Sequence, residues 1–144
     1  MSTVTTTRAL PFISGSPTRV RAIATIAGTV IAAVAHLVAL AAGAEMAVPA
    51  FDGEGTQQLA TIGVAASAAG AALIGWAVAW AARRFTGKPR TVWLAFALVG
   101  LAASFVPVIA IEATALTKVV LALQHLLVAA VVIPLFARTL PANA

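Results

Sequence analysis

The sequence predicts an all-α fold, a bundle of four transmembrane helices with both termini in the cytoplasm. The first observation is composition: 62% of the 144 residues are hydrophobic and 9% are charged, which is too apolar for an ordinary soluble domain. The second is charge placement, because the nine Lys and Arg residues flank long uncharged segments. The third is the length of those four segments, each sufficient to cross about 30 Å of hydrocarbon as a helix.

Composition and motifs exclude several classes of protein. The chain contains no cysteine, so it forms no disulfide and offers no thiolate to zinc or iron–sulfur clusters. The basic residues are spread along the chain rather than gathered with aromatic residues, so we expect no nucleic-acid binding. The sequence has no phosphate-binding loop, dinucleotide-binding glycine motif, HExxH or GxSxG. We therefore predict that the protein is not an enzyme and carries no cofactor.

The chain begins with a basic segment that precedes the first span. Residues 1–21 are rich in Ser and Thr and contain three arginines but no acid, which predicts a disordered cytoplasmic tail. The next 23 residues, 22–44, carry no charge. Because the apolar core of a signal peptide has only about 7–15 residues, we interpret residues 22–44 as a membrane helix rather than a cleaved leader.

Three further spans follow, separated by segments with loop chemistry. Residues 45–58 contain one proline, two glycines and three acids and are predicted to form a polar connection. The turn after the second span carries Gly87 and Pro89, which are helix stop signals. The predicted transmembrane domain, 22–138, has spans at about 22–44, 59–82, 91–111 and 119–137, and a cytoplasmic tail follows at 139–144.

The basic residues predict the orientation in the membrane. Short loops rich in Lys and Arg favour the cytoplasmic side. Along an alternating path of four spans, Lys118 shares one side with all four acids, and the other eight basic residues fall on the opposite side. We therefore predict a multi-pass plasma-membrane protein with both termini in the cytoplasm. The eight residues are Arg8, Arg19, Arg21, Arg83, Arg84, Lys88, Arg90 and Arg138.

Small residues at helical spacing predict where the helices touch. Lipid provides no hydrophobic drive for helix association, so small side chains that allow close backbone approach mark the contact faces. The fourth span should contact the first. The predicted faces are Gly28, Ala32, His36, Ala39 and Gly43 in the first span, Gly63, Ser67 and Gly70 with the further pair Ala71 and Gly75 in the second, Ala97, Gly100 and Ser104 in the third, and Ala122, His125, Ala129 and Val132 in the fourth.

Two intramembrane histidines define the candidate site. His36 and His125 each lie eight residues from the predicted outer end of their helix, which places both about 12 Å below that boundary. We therefore predict that they lie at one depth and face each other across the first and fourth helices. The candidate polar layer comprises His36, His125, Gln124, Ser104, Glu112 and Glu45.

Four interpretations of this layer stay open at the level of sequence. In the first interpretation, the histidines are neutral and bond to hydroxyls, amides or freed carbonyls, and these bonds hold the helices together. Alternatively, His and Glu side chains form a proton or small-cation relay in a transporter. A third interpretation is a haem held by two level histidines on facing helices. The fourth is a metal site of two histidines and a glutamate.

One long stretch of the sequence carries a resemblance to a known family. Residues 121–138, LALQHLLVAAVVIPLFAR, resemble the last helix of a family of uncharacterised four-span actinobacterial membrane proteins, a domain of unknown function. The resemblance implies four spans and an actinobacterial plasma membrane, and it implies no activity. Gln124 stands where that pattern has a hydrophobic residue, and His36 is not part of it. The other matching stretches are 92–107, 114–118 and 48–51, within residues 22–138.

These observations lead to one expected function and two alternatives. The chain is expected to be a small structural or accessory integral membrane protein. Its partners would be the lipid bilayer and either further copies of itself or another membrane protein. The first alternative is a transporter-like or small-ligand-binding protein that uses the His and Glu layer, and the second is a membrane redox protein with a bis-His haem.

Overall fold

The computed structural model describes residues 15–50 and 54–143 and shows a four-helix bundle with one small β-hairpin. All four helices are long and apolar enough to cross a membrane, which confirms the predicted fold class. The expected disorder of residues 1–14 lies outside the described residues. The elements are α1 (Pro17–Ala41), β1 (Ala47–Pro49), β2 (Thr56–Gln58), α2 (Thr61–Phe85), α3 (Pro89–Ala110) and α4 (Ala115–Arg138).

Helix α1 begins at Pro17, five residues before the predicted start of the first span. The Ser16 side chain caps the helix by accepting a hydrogen bond from the Arg19 backbone N–H, at 3.3 Å. Pro17 occupies the first turn, where its missing N–H and fixed φ suit a helix start. The prediction that the tail extends to Arg21 is therefore wrong for residues 17–21. Arg21 belongs to the bundle and is buried there.

The connection between α1 and α2 is a folded hairpin rather than an irregular loop. Strands β1 and β2 pair antiparallel, with Val48 opposite Gln57. Met46 adopts a φ of 49°, and its fully buried side chain packs in a cluster with Ala39 and Ala44 of the α1 end. The Leu59 N–H donates to the Met46 carbonyl at 2.9 Å. The hairpin is thereby fastened to one end of the bundle, which we call the hairpin end.

The helices are arranged in a ring in chain order. Helix α1 packs against α2 and α4, and α3 packs against the same two helices. The predicted contact between the first and last helices is confirmed. A Cβ atom added to Gly28 of α1 would lie 2.9 Å from a methyl of Val132 and 3.4 Å from one of Val128, both on α4. Helix α1 therefore approaches α4 too closely there for any side chain larger than hydrogen.

An aromatic cluster forms the core away from the hairpin end. Phe136 is fully buried, and its ring meets the rings of Trp93 and Trp76 edge to face at centroid distances of 5.7 and 6.4 Å. Gly75 of α2 leaves space for the Trp93 and Phe136 rings, because an added Cβ would lie 3.7 and 3.8 Å from them. The cluster joins α2, α3 and α4 close to the turn between α2 and α3.

The small-residue prediction holds for α1 but is wrong within the chain for parts of α2 and α3. Gly28, Ala32, His36 and Ala39 are buried, whereas Gly43 lies beyond the α1 end with a φ of 85°. Added Cβ atoms at Gly63, Gly70 and Gly100 would meet no atom within 4 Å. Gly75, also predicted, is buried, and the inner face of α2 is formed by Ala72, Gly75, Ala79 and Ala82. At about 100° per residue, this face lies roughly opposite Gly70, and α2 carries small residues on both sides.

Candidate functional site

His36 lies inside the bundle and joins α1 to the start of α2. Its side chain is fully buried, and Nε2 lies 2.9 Å from the Leu59 carbonyl oxygen. Because a carbonyl only accepts, Nε2 carries a proton and donates it to Leu59. Nδ1 is buried and has no hydrogen-bond partner in the described part of the chain. One ring nitrogen thus bonds α1 to the Leu59 carbonyl at the start of α2, and the other nitrogen makes no hydrogen bond to a described residue.

His125 makes its bond within its own helix. Its Nδ1 donates to the Leu121 carbonyl one turn earlier in α4, at 2.7 Å. The half-buried ring packs against Phe105 of α3, with a centroid distance of 6.1 Å and an interplanar angle of 43°. In the part of the chain that the structure describes, no hydrogen bond or ring contact joins His36 to His125. Their shared depth and facing arrangement stay a prediction.

Gln124 is the buried polar residue on the α1 side of α4. Its side chain is 5% exposed, and its Nε2 group is buried without an acceptor. The residue lines a groove of about 500 Å³ between α1 and α4. Apart from Gln124, the lining is apolar and includes Ile31, Val34, Ala35, Val38, Leu123 and Leu127. The groove therefore has an apolar wall, and the amide nitrogen of Gln124 lies buried behind it with no acceptor among the described residues.

The remaining members of the predicted layer are a serine bonded within its own helix and two exposed glutamates. Ser104 donates to the Leu101 carbonyl of its own helix at 2.6 Å. Glu45 and Glu112 are exposed at the hairpin end. Among residues 15–50 and 54–143, no group of three His, Cys, Asp or Glu side chains could hold a metal ion. The two-histidine-and-glutamate interpretation thus has no ligand set in this arrangement.

The geometry of His36 also disagrees with a bis-His haem. An axial ligand must present a free ring nitrogen to iron in a space that admits the porphyrin. Nε2 of His36 is bonded to Leu59, and Nδ1 belongs to a side chain with no exposed surface. His125 bonds to its own helix through Nδ1, which leaves Nε2 without a bond to a protein group among the described residues, so the disagreement rests on His36 alone. The histidines fit the interpretation in which they bond to carbonyls of the protein.

Sequence reasoning missed two contacts that organise the polar interior. One is the carbonyl of Leu59, a backbone group with no sequence signal. The other is Arg21, assigned to the tail, whose Nε donates to the Thr139 hydroxyl at 2.8 Å. The pair Ser16 and Pro17 was the available signal, because a capping residue followed by proline marks a helix start. Placing the start there would have put Arg21 one turn inside α1.

The fold and its polar interior define a small four-helix, multi-pass membrane protein whose histidines bond to its own backbone carbonyls. The chain belongs to DUF6069, a family of unknown function, whose sequence model matches residues 13–142. Comparison with curated proteins and with solved structures gives no match. The family resemblance noted in the sequence agrees with this assignment in the lack of an assigned activity, and the four apolar helices fit a membrane protein.

Proposed function

We propose that this protein is a small structural or accessory component of the plasma membrane of an actinobacterium, with both termini in the cytoplasm. It acts through its lipid-facing and loop surfaces rather than through chemistry in its interior. Its partners are the lipid bilayer and other membrane helices, supplied by further copies of the chain or by a second membrane protein. The exposed Gly63 and Gly100, where an added Cβ would meet no atom within 4 Å, support such contacts, since small residues favour helix association in lipid.

The observation that carries this proposal is the bond between His36 and the Leu59 carbonyl. A fully buried imidazole in a membrane helix is a functional residue by default. The groups that the His36 ring contacts therefore help to decide between a structural role and a relay. Here the ring joins α1 to the segment that starts α2, while the exposed carboxylates of Glu45 and Glu112 lie at the protein surface. A proton or cation relay would require such groups to follow one another along a path. The contacts of His36 instead support a structural role.

Replacing His36 by alanine is expected to lower the free energy of unfolding by about 1–3 kcal/mol, because the Leu59 carbonyl loses its donor inside the bundle. His125→Ala is the matched control. It should cost no more than about 0.6 kcal/mol, a typical value for a membrane hydrogen bond, because the Leu121 carbonyl keeps its helical N–H donor. Both values can be measured by unfolding the purified protein with SDS in mixed micelles. Equal losses for the two variants would contradict the structural role of His36.

The orientation is tested with a reporter that fluoresces only in the cytoplasm, fused after Ala144. We expect full fluorescence, because eight of the nine basic residues lie on the side of the termini in the predicted topology. The matched control places the reporter after a fifth, added span, where it should be dark. A dark fusion at Ala144 in a properly inserted protein would contradict the proposed orientation.

The groove beside Gln124 favours small-ligand binding as the second candidate function. A buried amide without an acceptor is unfavourable by about 1–3 kcal/mol, so a ligand carbonyl or hydroxyl would be favoured if the Gln124 side chain rotated to meet it in the groove. Gln124→Leu separates the two functions. If the protein is structural only, the variant should be as stable as the natural chain and should purify with the same bound molecules. Loss of a co-purifying molecule, detected by mass spectrometry, would favour the second candidate.

A further inference from the structure

Arg21 is a buried arginine at the end of the bundle away from the hairpin, which we call the basic end. Only 5% of the residue is exposed. Its Nε group donates to the Thr139 hydroxyl just beyond α4 at 2.8 Å, and that hydroxyl donates in turn to the Phe136 carbonyl at 2.7 Å. One edge of the guanidinium is therefore fixed between the first and last helices.

A second nitrogen of the Arg21 guanidinium has no acceptor among residues 15–50 and 54–143. It is the buried Nη2, and the buried hydroxyl of Thr25 likewise has no hydrogen-bond partner in those ranges. Thr25 follows Arg21 by four residues on α1, so the two side chains share a helix face. The Thr29 hydroxyl donates to the Thr25 backbone carbonyl. This bond does not involve the Thr25 hydroxyl. One face of α1 thus offers two unpaired donors one turn apart.

The electrostatic surroundings of Arg21 call for an anion. Arg83 of α2 is close enough to repel it, and a buried charge without a counterion is strongly unfavourable. Three of the four acidic residues, however, belong to the two connections at the hairpin end, namely Glu45, Glu54 and Glu112, and Asp52 lies outside the described residues. The basic end has arginine and lysine side chains on α1, α2, α3 and α4 and the turn between α2 and α3. An anion from outside the chain would balance them.

We propose that Arg21 and Thr25 bind the phosphate group of an anionic membrane lipid at the basic end of the bundle. A guanidinium edge donates charge-assisted hydrogen bonds to phosphate oxygens, and a threonine hydroxyl can donate a further one. Arg21 lies four residues inside α1, about 6 Å from the helix start, which is close to the level of lipid headgroups. The phosphate enters from the headgroup side beside the exposed Arg83 and offsets the repulsion between the two arginines.

The depth of Arg21 distinguishes a lipid phosphate from a free one. A lipid carries its phosphate to this level while its acyl chains remain in the bilayer. Inorganic phosphate would have to leave water to reach a largely buried guanidinium, and the dehydration of a small, highly charged ion is costly. The same donors would recognise either phosphate, so the experiment must compare the two sources directly.

The test uses the full chain, purified and stripped of lipid, with phosphatidylglycerol, phosphatidylcholine or inorganic phosphate added. We expect phosphatidylglycerol alone to raise the melting temperature and to remain bound in native mass spectrometry. Arg21→Gln should weaken phosphatidylglycerol binding by about tenfold or more, which corresponds to about 1.4 kcal/mol. Arg138→Gln is the matched control, because Arg138 is exposed at the same end and its loss changes the net charge equally. It should bind as the natural chain does.

Two further variants keep the proposal testable if Arg21→Gln does not fold. Thr25→Val retains shape and charge and removes one donor, so binding should weaken by about three- to tenfold. Arg21→Lys retains the charge without the planar fork and should bind phosphatidylglycerol more weakly than the natural chain. Equal binding by all variants would overturn the proposal. Stabilisation by inorganic phosphate, with none by phosphatidylglycerol, would overturn the assignment to lipid.

Discussion

Replacing Gly28 by leucine is expected to destabilise the bundle by about 3 kcal/mol, near the upper end of the usual effect of overpacking. The reason is the contact between α1 and α4, where even a Cβ atom at Gly28 would lie 2.9 Å from Val132. A leucine side chain has three more carbon atoms beyond that Cβ, so the two helices must separate. Unfolding with SDS in mixed micelles measures the loss.

Gly70→Leu is the matched control for this substitution. An added Cβ at Gly70 meets no atom within 4 Å, so the leucine has space, and replacing a helical glycine by a good helix former gains about 1 kcal/mol. Adding Val132→Ala to Gly28→Leu should recover part of the loss by removing the methyls that clash. Equal destabilisation at Gly28 and Gly70 would contradict the close contact of α1 with α4.

Phe136→Ala is expected to cost about 3–5 kcal/mol, the usual range for removing a buried phenylalanine. The ring is fully buried and packs edge to face on Trp76 and Trp93, so its loss leaves a cavity at the junction of α2, α3 and α4. Tryptophan fluorescence gives a second readout. The emission of the two contacting indoles should shift, whereas Trp80, which is 61% exposed, should change little.

The control for Phe136 is Phe96, which is 48% exposed on α3. Its replacement by alanine removes the same atoms from a lipid-facing surface, and surface substitutions usually change stability by about 0.5 kcal/mol or less. The fluorescence of the buried indoles should also stay unchanged. A similar loss of stability from both phenylalanine variants would show that the aromatic cluster does not hold the helices together.

The helices, the contact between the first and last of them, and the inward position of His36 could be predicted from the sequence. Each depends on a strong local signal, either a long uncharged segment or small residues repeated at helical spacing. The α2 face could be predicted only in part, because alanine and glycine surround that helix and spacing alone selects both Gly70 and Gly75. Only the rings of Trp93 and Phe136, which come from other helices, decide which side of α2 faces inward.

The candidate site was less predictable because its partners are backbone groups. The Leu59 carbonyl reaches His36 only because the hairpin folds the chain back onto the end of α1. Polar composition between the first two spans predicted a loop, and three-residue strands are too short to show alternation. Arg21 was placed in the tail because a charged residue next to an apolar run is read as its boundary. The cap at Ser16 extends the helix beyond that boundary.

The pairing of the first helix with the last also sets an order of events during biosynthesis. Gly28 and Val132 meet in the finished bundle, so α1 enters the membrane well before the surface that covers it exists. At about 5–20 residues per second, the roughly hundred intervening residues take about 5–20 s to make. During that interval the Gly28 face of α1 is bounded by lipid alone. Ribosomal pauses or chaperones at this stage would act on a partly assembled protein in which α4 does not yet cover the Gly28 face of α1.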